Sequence, residues 1–126
     1  MTAAYVDTSC LMAVASSEPG YEELATRLES FSQLHASNLL EAEFASALAR
    51  RHITNDGSLT DQVIWVLPDR ALTLEIDAVL AAGYLRGADL WHVACALYLS
   101  PNPLELTFLT LDGRQSEVAR NLGFPA

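Results

Sequence analysis

Four short apolar runs, each followed by a helical pattern, limit what this chain can become. The runs are AAYV at 3–6, QLHAS at 33–37, RALTLEI at 70–76 and LELTFLTL at 104–111. Between them apolar residues recur every three or four positions, as a helix with one buried face requires. Strands joined through helices run parallel, and parallel strands are covered on both faces. The pattern therefore predicts an α/β fold, a three-layer α/β/α sandwich with a central parallel sheet. No repeat, linker or low-complexity stretch interrupts the 126 residues, which form one domain, 1–126.

The spacing also predicts the helices. Thr8 or Ser9 caps a helix through Leu11, Met12 and Val14 that Pro19-Gly20 breaks. A second helix aligns Leu24, Leu28 and Phe31, and Ser37 or Asn38 caps a third, LLEAEFASALARRH. Asn55-Asp56-Gly57 is a turn, residues 59–67 read as helical up to Pro68, and DAVLAAGYLRG reads as a helix ended by Gly87. ADLWHVACALYLS and GRQSEVARNLGF supply the last two helices.

Composition excludes several function classes. The net charge of −9 argues against a protein that coats nucleic acid by bulk electrostatics. It leaves open an enzyme whose acids hold cations and so present a positive surface to phosphate. All seven basic residues are arginine, which removes mechanisms that need a lysine. No apolar run approaches the roughly 20 residues of a membrane span, and the N-terminus lacks the basic and apolar segments of a signal peptide. Cys10 and Cys95 form no CxxC pair and sit in apolar helical patterns. They read as buried free thiols in a reducing, cytoplasmic setting, with no membrane association.

The acids carry the functional signal. Asp7 ends the first strand and Asp112 follows the last. In a parallel α/β sheet ligands bind beyond the carboxyl ends of the strands, so both acids belong to one rim. Asp89 opens an apolar helix, and Glu43 lies early in the helix after the second strand. Each alone has an ordinary explanation: Asp7 and Asp89 as caps, Glu41 or Glu43 as a solvated face, Asp112 as part of an Asp-Gly turn. Together they are harder to explain, because carboxylates ~5 Å apart repel by roughly 3 kcal/mol per pair at an effective dielectric near 20. A cation would offset that repulsion, and oxygen-only ligands select Mg²⁺ or Mn²⁺. Such an ion activates water and offsets charge on a phosphate during displacement.

At this point the chain resembles a PIN domain, and most closely the VapC-type toxins of toxin–antitoxin pairs. Four segments carry the resemblance: YVDTSCLMAV, ASNLLEAEFASAL, LRGADLWHVACAL and FLTLDGRQSEVARNLGF. They are similar, in order, to the family's opening Asp-Thr/Ser strand, its glutamate helix, its Leu-Asp-Ala-x-His-x-Ala helix and its closing Thr-x-Asp strand and helix. The resemblance implies cleavage of RNA with Mg²⁺ or Mn²⁺ bound by Asp7, Glu43, Asp89 and Asp112, which are also the catalytic acids. Glu43 is preferred to Glu41 because it lies six positions after Ser37, as the family acid follows its strand-end serine. The resemblance further implies a cognate antitoxin protein as partner, and a homodimer is expected because two-fold dimers are the commonest soluble assembly. Two departures stand out. Leu90-Trp91 follows Asp89 where the family usually has alanine, and Pro125-Ala126 leaves little length for a further edge strand.

Other residues fall around these acids. Ser9 and Thr110 are expected to hydrogen-bond the metal-binding carboxylates. Arg86 and Arg114 flank the rim in sequence and are expected to bind substrate phosphate. His92 shares a helical face with Asp89 and reads as packing beside the site rather than as a ligand. His35 and His52 read as structural or exposed. A receiver domain would need a lysine, and a dehalogenase-type phosphatase would open Asp-x-Asp where this chain has Asp7-Thr8-Ser9. A ribonuclease-H-type nuclease would place β-hairpins after the first acid, where this chain places two helices. A catalytically inactive PIN-fold module that only binds a partner remains the alternative.

Overall fold

The computed structural model describes residues 2–126. Four parallel strands form the sheet: β1 (Ala3–Val6), β2 (Gln33–Ser37), β3 (Val63–Val66) and β4 (Thr107–Leu109), in the order β3-β2-β1-β4. Six α-helices cover it: α1 (Thr8–Ala15), α2 (Tyr21–Glu29), α3 (Asn38–Arg50), α4 (Thr73–Ala82), α5 (Gly87–Leu99) and α6 (Gly113–Leu122). This is the α/β/α sandwich that the alternation predicts. Among the described residues no helix is long and apolar enough to cross a membrane.

The pleat of β1 divides the core in two. Ala4 and Val6 face α1, α2 and α3 with Leu11, Leu28, Leu40 and Phe44. Tyr5 faces the other way, toward α4, α5 and α6 with Val79, Val93, Phe108 and Val118. Tyr5 stacks on Phe108 of β4 with ring centroids 5.4 Å apart. Cys10 and Cys95 are buried free thiols, one in each half of the core.

Several elements differ from expectation. Residues 63–66 are a strand, not part of a helix over 59–67, because Val63-Ile64-Trp65-Val66 is β-branched and aromatic and pairs in register with β2. Residues 70–76 are not a strand. Leu72, just before α4, and Ile76 and Val79 within it pack into the core, and Leu74, which alternation would pair with them, is 78% exposed. The helix expected over 77–87 is the end of α4, which stops at Ala82, and Gly87 begins α5 instead of ending a helix. The last strand is shorter than 104–111, since Pro103–Glu105 forms a 3-10 turn before it. Asp7 itself, and neither Thr8 nor Ser9, caps α1. At the sheet edge the Phe108 N–H donates to Pro125 O at 2.7 Å, so the last residues follow β4 by a single backbone bond.

Candidate functional site

Parallel pairing sets the rim. Val6 lies opposite Leu109, and the Asp7 N–H extends the ladder to Leu109 O at 2.9 Å. The residues after β1 and β4 therefore leave the sheet side by side. Asp7 turns into α1 and its Oδ2 accepts the Ser9 N–H at 3.1 Å; Asp112 turns into α6 and its Oδ1 accepts the Gln115 N–H at 2.9 Å. Asp89 lies in the first turn of α5. Three helix N-termini thus open onto the same acids, and their partial positive ends lower the cost of gathering carboxylates there.

The acids sense one another. The Asp89 carboxyl is held above its ordinary value first by burial, then by the negative charges of Asp7 and Asp112, with Glu43 adding and His92 opposing. Asp7 is buried, Glu43 and Asp89 are half-buried, and Asp112 is exposed. Glu41, the other glutamate considered, is exposed. The four stand as electrostatic neighbours and not as a closed chelate: among the described residues no three of the His, Cys, Asp and Glu side chains are grouped to hold one ion.

The donor chemistry fits a hard cation nevertheless. Among the described residues no hydrogen bond falls on the Asp89 carboxylate, on Glu43 Oε2 or on Asp112 Oδ2. These are unspent carboxylate oxygens, the ligands that Mg²⁺ and Mn²⁺ prefer.

Around the acids lies a knot that spacing alone did not reveal. Gln115 is wholly buried, and its Nε2 lies 3.3 Å from the Asp89 carbonyl and 3.5 Å from Asp7 Oδ1. Thr110 Oγ1 donates to Gln115 Oε1 at 2.7 Å and accepts the Asp112 N–H at 3.1 Å. Ser9 Oγ accepts the Leu111 N–H at 3.0 Å and lies 3.4 Å from Thr110 Oγ1. Thr110 Oγ1 lies 3.4 Å from Asp7 Oδ2, whereas Ser9 meets Asp7 through its backbone N–H and not through its hydroxyl. The available signal for Gln115 was a polar residue sharing a helical face with Val118, Ala119 and Leu122.

Glu43 is held from the other side. Its Oε1 receives the Thr8 hydroxyl at 2.8 Å and lies 2.7 Å from His92 Nε2. His92 is therefore a partner of an acid instead of simple packing. Its Nδ1 lies 3.0 Å from the Tyr5 hydroxyl, which accepts the Ser37 N–H at 3.0 Å. Tyr5, Thr8 and Ser37 were also missed as site residues: Tyr5 and Ser37 lie inside apolar strands, and nothing in their spacing marks them.

Beside Asp89 and Asp112 a cleft of about 210 Å³ is lined by Tyr84, Leu85, Arg86, Asp89, Asp112 and Arg114. Both expected arginines therefore reach it. Arg114 is partly engaged, pairing with Glu117 at 3.1 Å and donating from Nε to the Tyr84 carbonyl at 3.3 Å. Two other grooves, of about 160 and 170 Å³, lie against α1, α2 and α3 and include none of the four acids.

The chain is thus a four-stranded parallel α/β/α sandwich with acids at its carboxyl rim. The PIN domain family profile matches residues 4–121, and the chain belongs to that family. No curated protein and no solved structure matches it.

Proposed function

We propose that the chain is a metal-dependent endoribonuclease that serves as the toxin of a type II toxin–antitoxin pair. One observation supports the reading: the Asp89 carboxyl is raised by burial and then by the charges of Asp7, Asp112 and Glu43, so the four acids are electrostatic neighbours. Bound Mg²⁺ or Mn²⁺ would activate water and offset charge on the phosphate. Asp7, Asp89 and Asp112 would hold it, and Glu43 would orient the attacking water or help bind a second ion. Arg86 and Arg114 would grip the RNA backbone in the adjoining cleft. An antitoxin would lay an amphipathic segment along the grooves beside α1–α3 and insert an arginine or lysine among the carboxylates.

The test is cleavage of RNA by the purified protein in Mg²⁺ or Mn²⁺. Wild type should cut, and Asp7→Asn, Asp89→Asn and Asp112→Asn should each lose at least about 100-fold while keeping wild-type circular dichroism. Cleavage at a wild-type rate by any of them removes that residue from the site. The open arrangement of the acids favours a second reading, the inactive interaction module. Calorimetric titration with Mn²⁺ separates the two, because such a module binds no ion through these carboxylates.

A further inference from the structure

The hydrogen-bond chain behind Glu43 crosses four elements. The Ser37 N–H of β2 donates to Tyr5 of β1, Tyr5 meets His92 of α5, and His92 meets Glu43 of α3. Tyr5, Ser37 and His92 are all at most 1% exposed. Tyrosine and histidine are an expensive filling for that volume, since a buried polar group costs free energy unless every partner is met. Phe and Leu would fill the same space with no such demand.

With the ring neutral, one assignment of protons satisfies the chain, and the Ser37 hydroxyl, 3.4 Å from His92 Nδ1, can share that acceptor. The phenol has a single proton and already accepts from Ser37, so it donates to His92 Nδ1. Nδ1 is then an acceptor, and the ring proton lies on Nε2, aimed at Glu43 Oε1 2.7 Å away. The opposite tautomer would set the Nε2 lone pair against a carboxylate oxygen and leave the phenol proton unmet.

Thr8 and His92 both act on the same oxygen, Oε1. We propose that Tyr5 and His92 are positioning residues that lock Glu43 in one orientation, with Oε1 occupied and Oε2 alone presented to a divalent cation or its water. This rests on the nuclease reading, and it makes the affinity of the rim depend on a phenol that touches neither cation nor substrate.

The test uses full-length Tyr5→Phe, which keeps the ring and its stacking on Phe108. In metal-free wild type, ¹⁵N NMR of His92 should show the Nε2-protonated tautomer, and in Tyr5→Phe a mixture. Mn²⁺ affinity by calorimetry and kcat for RNA cleavage should each fall about 10-fold, with KM little changed. As a second pair, His92→Leu should lose Mn²⁺ affinity, and His92→Gln, which keeps an N–H donor, should recover part of it. A Tyr5→Phe protein with wild-type tautomer, Mn²⁺ affinity and kcat overturns the proposal, as does equal loss in His92→Leu and His92→Gln. Wild type that neither binds Mn²⁺ nor cuts RNA overturns the nuclease reading itself, a pattern distinct from a defect confined to the variants.

Discussion

Thr110 and Gln115 hold each other beneath the acidic rim, the Thr110 hydroxyl donating to Gln115 Oε1 at 2.7 Å. The Asp7 carboxylate and the Asp89 carbonyl, both acceptors, put the Gln115 amide nitrogen on their side, which leaves Oε1 to accept the hydroxyl's one proton. The amide N–H groups are then aimed at Asp7 Oδ1 and the Asp89 carbonyl. One buried side chain thereby ties the end of β4 to the starts of α1 and α5.

Replacing Gln115 with leucine keeps most of the volume and removes every one of these bonds. Buried donors and acceptors left unmet cost about 1–3 kcal/mol. Urea denaturation of Gln115→Leu should show a loss of that order. A change below about 0.5 kcal/mol, the range of ordinary surface substitutions, would mean that water replaces the amide at no cost.

Asp89 should impose a pH dependence on the metal-free protein. Burial and its acidic neighbours raise its carboxyl in the folded state. A raised carboxyl contributes stability that is fully present below its unfolded value, about 3.9, and that is lost as pH rises through the folded value. In chelator, Asp89→Asn should melt above wild type at neutral pH, and the gap should close on acidification toward pH ~4. Melting curves across that range decide the matter, and a wild type more stable than the variant at neutral pH contradicts it.

Gly83 lets the loop after α4 pass close to α6. A Cβ there would lie 2.8 Å from Val118 Cγ2, on a side chain with no exposure. Gly83→Ala should destabilise by about 1–3 kcal/mol, the usual cost of overpacking. It should also raise KM for RNA, because the next residues, Tyr84 to Arg86, line the cleft. Gly87→Ala is the control: its Cβ would meet nothing within 4 Å, and stability should hold or improve. Equal effects of the two substitutions would sink the packing argument.

The cleft should bind RNA through its arginines and one ring. Arg86→Gln should raise KM about 10-fold and flatten its salt dependence by roughly one phosphate contact. Tyr84, 69% exposed at the same cleft, offers a face for an unpaired base. Tyr84→Ala should weaken binding of single-stranded RNA by about 5- to 100-fold and leave the salt slope unchanged. The same kinetics at several salt concentrations test both, and a Tyr84→Ala protein with wild-type KM would assign the ring no contact with RNA.

The alternation of apolar runs and helices made the sandwich legible, and the places of Asp7 and Asp112 at strand ends made the rim legible. The middle of the chain was less so. In Leu72, Leu74 and Ile76 a period of two and a period of four share members, and only the packing of Val79 decides for a helix. Residues 59–67 join a turn to a four-residue strand, too short for periodicity to outweigh neighbouring helical signals. At the site, carboxylates are conspicuous because they are rare among apolar neighbours. Tyr5 and Gln115 pass for core residues, since their partners lie 87 and 108 positions away.

The helix N-termini of α1, α5 and α6 that face the acids have a consequence for the order of events. While the carboxylates are uncompensated, the rim repels a phosphate despite the N–H groups aimed toward it. Once a cation offsets that charge, the same N–H groups and helix dipoles favour an anion. Under the proposed nuclease reading, loading would therefore be sequential, the cation entering first and RNA following. Chelation then weakens substrate binding as well as turnover.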